Sequence, residues 1–526
     1  MFLLVRREQV PARQLIQTGW DSPTASEFRK GCAEFEKYRL FDGTTIVPTR
    51  LLADGSTEVA TRVFSTNHWD AAEFARMITE IQNAGAHTCT NNFLMLGANP
   101  GNVDWFSDSG WREIVGHWRL LARAARQAKM TGILFDPEPY ERPWSQFLYA
   151  AQTNRNVYTF EEMSAKARER GRDVMKALAE EFPDMTLFAY RIFSDLPRSG
   201  NPEANDVRLR NNIYGLLPSF VDGWCDALPS AMHIVDGDEA AYYFQSEEIY
   251  FTSFAQLKTS AARFVSHENR EKIRSQFLVS HGIYLDAYVP GLLSKKYFDL
   301  GGETPASRLF RYVSSAVEAS DGFVWVYGEQ GRWWPKENSR PVWPDRFPGI
   351  VSALSAARNP TLYATEFLRE SKTLKNELRD PSFETTGLLR LTSPWSVWQS
   401  KDSNGKAVFS NASVHLSGIA NGSVGQTIPV HYGEVYAINL KVREGTVGDV
   451  GSAVRWQDGN GKWIDAGTRL DFKPIGQPDR DGWRDIVGLV RVPSGAGKLY
   501  FLILAQGQTT SSDASFKNPI VAKVSF

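Results

Sequence analysis

Gly132-Ile133-Leu134-Phe135-Asp136-Pro137-Glu138-Pro139-Tyr140 decides how the rest of the chain is read. In a β-strand alternate side chains share a face, so Gly132 and Leu134 point to one interior while Asp136 and Glu138 emerge together at the strand's C-terminal end. Proline on both sides of Glu138 removes backbone donors and stiffens the exit, which suits a rim rather than continued pairing. Two carboxylates on one face repel when both are ionised. The pKa of one then rises, and that group can donate a proton near neutrality. A salt-bridged pair at a strand end is the bland alternative.

Working outward, residues 14 to 370 alternate short apolar runs with long amphipathic stretches, the pattern of parallel strands joined by crossover helices. Strands are expected at Arg13–Trp20, Thr44–Arg50, His87–Leu96, Gly132–Tyr140, Thr186–Phe193, Met232–Asp238, Phe277–Asp286 and Phe323–Glu329. Between them Trp111–Lys129 repeats its apolar residues at helical spacing, and Thr159 with Glu162 forms a capping-box pattern opening another helix. About eight such units, each with a strand to bury, close most economically into a (β/α)₈ TIM barrel, the α/β class expected for residues 1–379.

After Arg379 the composition shifts to Ser, Gly, Thr and Val. Alternating segments such as Val435–Val442, Gly451–Trp456 and Lys498–Leu504 lie between turn signals at Asp402–Gly405 and Asp458–Gly461. This predicts an all-β jelly-roll sandwich over 380–526.

The 59 Lys and Arg balance 60 Asp and Glu, so the formal charge is −1. That argues against nucleic acid, whose binding draws on clustered cations. Cys32, Cys89 and Cys225 fit neither zinc spacing nor a disulfide framework. The opening MFLLV is too short for a signal-peptide core or a membrane span. There is no phosphate-binding glycine loop, no Gly-x-Ser-x-Gly elbow and no His-Glu-x-x-His helix.

The other strands add to the expected mouth. The seventh ends in Asp286, with His281 facing the helices by parity. The sixth carries Asp236-Gly237-Asp238-Glu239, of which Asp236 and Asp238 are expected to face inward together and Glu239 to turn elsewhere. The eighth places Trp325, Tyr327 and Glu329 on one face, followed by Trp333 and Trp334; an aromatic floor under a carboxylate suits the apolar face of a sugar ring, with core packing the alternative for Trp325. Trp20, Asp21, Asn91, Asn92, Tyr140, Arg191, Tyr284 and Tyr288 complete the expected substrate-binding set. Carboxylates and aromatics with few cations suit a neutral or amino sugar, and hydrolysis of a glycosidic bond needs the two carboxyl roles present here.

The Asp136-x-Glu138 strand end is similar to the terminus of the chitinase-type motif, and that resemblance implies Glu138 as proton donor and Asp136 as the group orienting the substrate. A second resemblance, to the retaining glycoside hydrolases whose acid and nucleophile end the fourth and seventh strands, implies Glu138 paired with Asp286. Asp380-Pro381-Ser382-Phe383-Glu384 and Pro394-Trp395-Ser396-Val397-Trp398 resemble the opening of jelly-roll carbohydrate-binding modules. Many of those hold calcium through the opening Glu and an Asp in the last strand, which is expected here at Ile520–Phe526 and has no Asp. Trp395, Trp398, Trp456, Trp463 and Trp483 are then sugar-stacking or core residues.

The expectation is a glycoside hydrolase of poly- or oligosaccharides with Glu138 as general acid. Asp136 orients substrate or tunes that acid, and the nucleophile is Asp286 or, second, Glu329. The alternative is a non-catalytic glycan-binding protein with a degenerate barrel; a metal-dependent or aldolase-like barrel ranks last. No cofactor, metal, membrane span or protein partner is expected, and the role implies an extracellular or periplasmic location.

Overall fold

The computed structural model describes residues 13–196, 207–289, 303–336, 340–371, 373–384, 393–445, 447–464 and 469–526. They form two compact units, Met1–Leu354 and Ser355–Phe526.

The first unit is the barrel. Its staves are β1 (Gln14–Gly19), β2 (Gly43–Ile46), β3 (Phe93–Pro100), β4 (Gly132–Asp136), β5 (Thr186–Ala189), β6 (His233–Asp236), β7 (Phe277–Val279), β8 (His281–Tyr284) and β9 (Phe323–Gly328). All pair in parallel, in the order β7-β6-β5-β4-β3-β2-β1-β9-β8. The two ends of that order are consecutive in the chain. β7 pairs with β6, β8 pairs with β9, and Ser280 between them donates its N–H to Asp236 O (2.9 Å) and its hydroxyl to Phe323 O (2.7 Å). One stave therefore joins both edges, and nine segments make eight staves.

Inside, Phe93, Phe188 and Phe323 meet edge to face near the base. Outside, Phe135 of β4 packs against Phe64, Trp118 and Trp224 beneath the helices. The alternation expected of β4 thus separates the two layers. The helical layer includes α1 (Ala25–Glu36), α2 (Ala75–Gln82), α3 (Asp108–Gln127), α4 (Phe160–Glu181), α5 (Leu217–Ala227), α6 (Glu248–Ser260) and α7 (Pro305–Glu318). Thr159 and Glu162 form the capping box that starts α4. α4 and α5 touch backbone to backbone: a Cβ at Gly171 would lie 1.9 Å from Phe220 O, so only glycine permits the approach. A hairpin, Thr49–Leu51 with Thr57–Val59, and a short strand, Arg62–Phe64, on the flank of β3 are additions that the expected pattern did not contain.

The second unit is a sandwich of two five-stranded antiparallel sheets. Its strands are β10 (Ser396–Gln399), β11 (Lys406–Ser410), β12 (Ser413–Ser417), β13 (Asn421–Pro429), β14 (Val435–Arg443), β15 (Asp449–Gln457), β16 (Leu470–Phe472), β17 (Arg484–Arg491), β18 (Lys498–Gln506) and β19 (Asp513–Val524). One sheet runs β10-β13-β18-β15-β16 and the other β11-β12-β19-β14-β17. Alternate residues of both, among them Val424, Val454, Trp456, Phe501, Leu440 and Phe516, fill the space between. The helix Pro360–Glu370 packs on β14 and β17, which is why this compact unit begins before the compositional change at Asp380.

Candidate active site

β4 delivers Asp136 at its last residue, and the chain carries Glu138 and Tyr140 onward at the C-terminal mouth. Asp136 is 3% exposed, whereas the Glu138 side chain is 31% exposed. Asp136 Oδ1 accepts the Glu138 N–H (2.9 Å), and Asn99, near the end of β3, clamps the turn by accepting the Tyr140 N–H (2.8 Å) and donating to Glu138 O (3.0 Å). Tyr140 as a residue is 63% exposed, but its hydroxyl turns inward to both carboxyls. From the loop after β5, Arg191 donates to Glu138 Oε1 (3.0 Å), to Asp195 (2.6 Å) and to Glu239 (3.0 Å), with its guanidinium 5.1 Å above the Tyr214 ring.

One cation thus faces three carboxylates. Burial, followed by the charge of Glu138, pushes Asp136 up to about 7. Burial also raises Glu239 to about 7, against the pull of Arg191 and with repulsion from Glu138 adding to it. Beneath lies a stack of rings: Tyr190 on Trp325 (4.4 Å), Tyr242 against Trp325 (5.2 Å) and Tyr284 (5.0 Å), and Tyr327 above them, half exposed. Trp325 is fully buried and donates its indole N–H to Gly237 O (2.7 Å), so it is the plug of the barrel.

The remaining expected residues are placed as follows. Glu239, expected to turn away, enters the mouth because Asp238 adopts a left-handed conformation (φ 42°) that ends the strand's alternation. Asp238 itself turns outward, where its carboxylate takes His281 Nδ1 (2.9 Å) and the Ser253 hydroxyl (2.6 Å) in the helical layer. Asp236 is buried and accepts the N–H groups of Phe193 (2.7 Å), Ser194 (3.1 Å) and Asp238 (3.0 Å). Asp286, the first nucleophile candidate, is buried with its oxygens held by the N–H groups of Glu329 (2.8 Å) and Gln330 (3.0 Å). Glu329 is half-buried just beyond β9; burial raises the Tyr284 hydroxyl, and the charges of Asp286 and Glu329 add to that rise.

Asn91 and Asn92 sit at the base, not the mouth, because β3 starts at Phe93. Asn92 accepts from Thr44 N–H (2.9 Å) and donates to Cys89 O (2.8 Å). Asp21 faces the helices, accepting from Gln17 (2.9 Å) and Trp333 N–H (2.5 Å), and burial raises it to about 6. Trp333 packs edge-on against Phe41 and Tyr38, and Tyr288 against Tyr312; both are core. Trp20 stands exposed after β1, with the Arg340 guanidinium 5.3 Å from its ring.

Asn99, Glu239, Tyr190, Tyr242 and Asp195 are site residues that strand alternation missed. The Asn99-Pro100-Gly101 turn signal was the one available pointer to Asn99. Among the described residues no group of three His, Cys, Asp or Glu could hold a metal ion. No described helix is long and apolar enough to cross a membrane.

In the sandwich, Trp395, Trp456 and Trp483 are buried, whereas Trp398 and Trp463 are exposed. Trp398, Tyr500 and Arg455 share the outer face of the sheet containing β10, and Arg455 lies 4.0 Å over the Trp463 ring.

No protein-family model and no curated protein matches the chain. Among solved structures it is similar to the enzymatically active domain of bacteriophage CBA120 tailspike protein 4, at 15% identity and TM-score 0.23 over 28% of this chain and 21% of that one. It is also similar to the CBM22-1 xylan-binding domain of Paenibacillus barcinonensis Xyn10C, at 16% identity and TM-score 0.22 over 30% of this chain and 99% of that one. A third is the arabinose-bound MgGH51 α-L-arabinofuranosidase, at 17% identity and TM-score 0.21 over 30% of this chain and 28% of that one.

Proposed function

We propose that the barrel is a glycoside hydrolase acting on a poly- or oligosaccharide, with Glu138 as general acid. The observation that carries this reading is the convergence of Asp136, Glu138 and Glu239 around Arg191 at the C-terminal mouth, above a floor of aromatic rings. Glycosidic cleavage needs a carboxyl that still holds a proton at the working pH, beside a second carboxylate that meets the oxocarbenium-like centre. Groups this close titrate as a set. With Asp136 and Glu239 raised to about 7, the set holds a proton near neutrality, and Glu138, its most exposed member, delivers it. Glu239 takes the second role in place of Asp286, whose oxygens are engaged by backbone. For the sandwich we propose glycan contact on the outer sheet face bearing Trp398, Trp463 and Tyr500, where exposed rings suit sugar stacking. A polysaccharide substrate implies an extracellular or periplasmic protein.

The test is a panel of defined polysaccharides with product analysis, run on the full chain and on Glu138→Gln. The expected result is product release by the parent chain, lost in the variant while glycan binding persists. Binding without release by the parent chain would make it a non-catalytic glycan-binding protein.

A further inference from the structure

The Tyr140 hydroxyl lies 2.8 Å from Asp136 Oδ2 and 2.6 Å from Glu138 Oε2. A phenol carries one hydrogen, so it donates to one of these oxygens only. The other contact is a hydrogen bond only when that carboxyl carries a proton and donates to the phenolic oxygen. With both carboxyls ionised, one would face a phenol lone pair at hydrogen-bond distance. The remaining partners set the direction. Asp136 Oδ1 accepts the Glu138 N–H, and Glu138 Oε1 accepts from Arg191 Nη2 at 3.0 Å. Either direction satisfies every atom, but the Arg191 guanidinium on Glu138 and the burial of Asp136 favour the one that runs from Asp136 Oδ2–H to Tyr140 Oη, then from Tyr140 Oη–H to Glu138 Oε2.

We infer that Tyr140 is a proton bridge that keeps one proton on the Asp136–Glu138 pair and passes it to Glu138. In the transfer the Asp136 O–H bond breaks as its proton moves to Tyr140 Oη, and the proton already on Tyr140 moves to Glu138 Oε2. Asp136 is left ionised, Tyr140 neutral and Glu138 protonated, with no further reactant. Tyr140 acts through Glu138 and is a positioning residue. The use of the delivered proton rests on the glycosidase reading; the bridge does not. The charged and titratable groups facing the pair are Arg191 and Asp195 after β5, Tyr190 at its end, Tyr214, Glu239 after β6 and Tyr327 on β9.

The test uses the full chain and Tyr140→Phe, which keeps the ring and removes only the hydroxyl; a thermal melt confirms the fold. Infrared titration follows the protonated-carboxyl C=O band, assigned by its loss in Asp136→Asn. The expected result is a band present at pH 6 to 7 in the parent chain. Its midpoint falls by about one pH unit in Tyr140→Phe, because the singly protonated pair loses one more hydrogen bond than the doubly ionised pair. Hydrolysis of glycans with poor leaving groups falls about 10- to 100-fold with KM little changed, the alkaline limb moves down in step, and aryl glycosides with good leaving groups are spared. Absence of the band in the parent chain, or an unmoved midpoint in folded Tyr140→Phe, overturns the bridge. A shifted band in a chain that hydrolyses no glycan keeps the bridge and overturns the glycosidase reading instead.

Discussion

The two sides of the barrel mouth start from the same sequence signature, an acid at the end of a strand, and use it differently. On the β6 and β8 side, Asp236 and Asp286 spend their oxygens mainly on main-chain N–H groups, those of residues 193, 194 and 238 and of residues 329 and 330, with the Ser194 hydroxyl adding one bond to Asp236 (2.9 Å). A peptide N–H neither releases its proton nor rearranges, so these carboxylates are fasteners that fix the loops. On the β4 side, Asp136 and Glu138 share a phenol and face an arginine and other acids, all side chains that can exchange or reorient. A buried carboxylate is a candidate for chemistry when titratable side chains are among its partners, and a structural element when backbone N–H groups dominate.

This contrast is broken most directly by Glu138→Gln. The expected loss of turnover is about 10²- to 10⁴-fold on glycans with poor leaving groups, with unchanged melting temperature, measured by product release and calorimetry. Asp286→Ala is expected to do the reverse. It leaves two partly buried N–H groups without their carboxylate acceptor and costs about 1–3 kcal/mol of stability, read from urea unfolding, while the folded fraction keeps the carboxyl set at β4 intact. Equal activity losses in the two variants, each normalised to folded protein, would erase the distinction between the two sides.

A smaller effect is read by pH; on the other side burial, then the charge of Asp238, also raises Asp236, to about 6. Asp136 has an ordinary value of 3.8 and is raised to about 7, and Glu239 is raised to about 7 from 4.5. Between these limits the folded chain binds protons that the unfolded chain releases. The stability contribution is therefore full below about pH 4 and is lost as pH rises through 7. Asp136→Asn removes one of these groups, so the fall in melting temperature between pH 5 and pH 8 becomes shallower than in the parent chain. An unchanged fall would show that Asp136 is ionised throughout this range.

Much of the barrel was legible because burial on two faces leaves apolar runs, and seven of the expected strands begin within a residue of an observed one. The misses have physical causes. Parity carries a side-chain assignment only while the strand stays extended, and the left-handed Asp238 reverses it for Glu239. The stave through Ser280 divides its pairing between two neighbours, which no local pattern announces. Trp325, Trp333 and Tyr288 have the composition of a sugar site and the positions of a core, since the same ring face serves either use. Asp136 and Glu138 were readable because flanking prolines exclude further strand pairing at that end.

The smallest expected effect lies along β3 itself, with one asparagine near each end. Asn99 accepts the Tyr140 N–H and donates to Glu138 O, so it sets the turn that aims both side chains. Asn91 lies before the strand begins, its carbonyl against Gly43 and its side chain 3.5 Å from the Thr131 hydroxyl, all at the base. Asn99→Ala is therefore expected to lower kcat about tenfold through misplaced carboxyls, a loss of about 1.4 kcal/mol in transition-state stabilisation. Asn91→Ala should leave kcat/KM within about twofold, because an exchange with no contact to the reacting groups changes only local stability. Sequence spacing alone placed Asn91 in the site, so a pair of kinetic measurements decides between strand register and residue type as the better guide to the mouth.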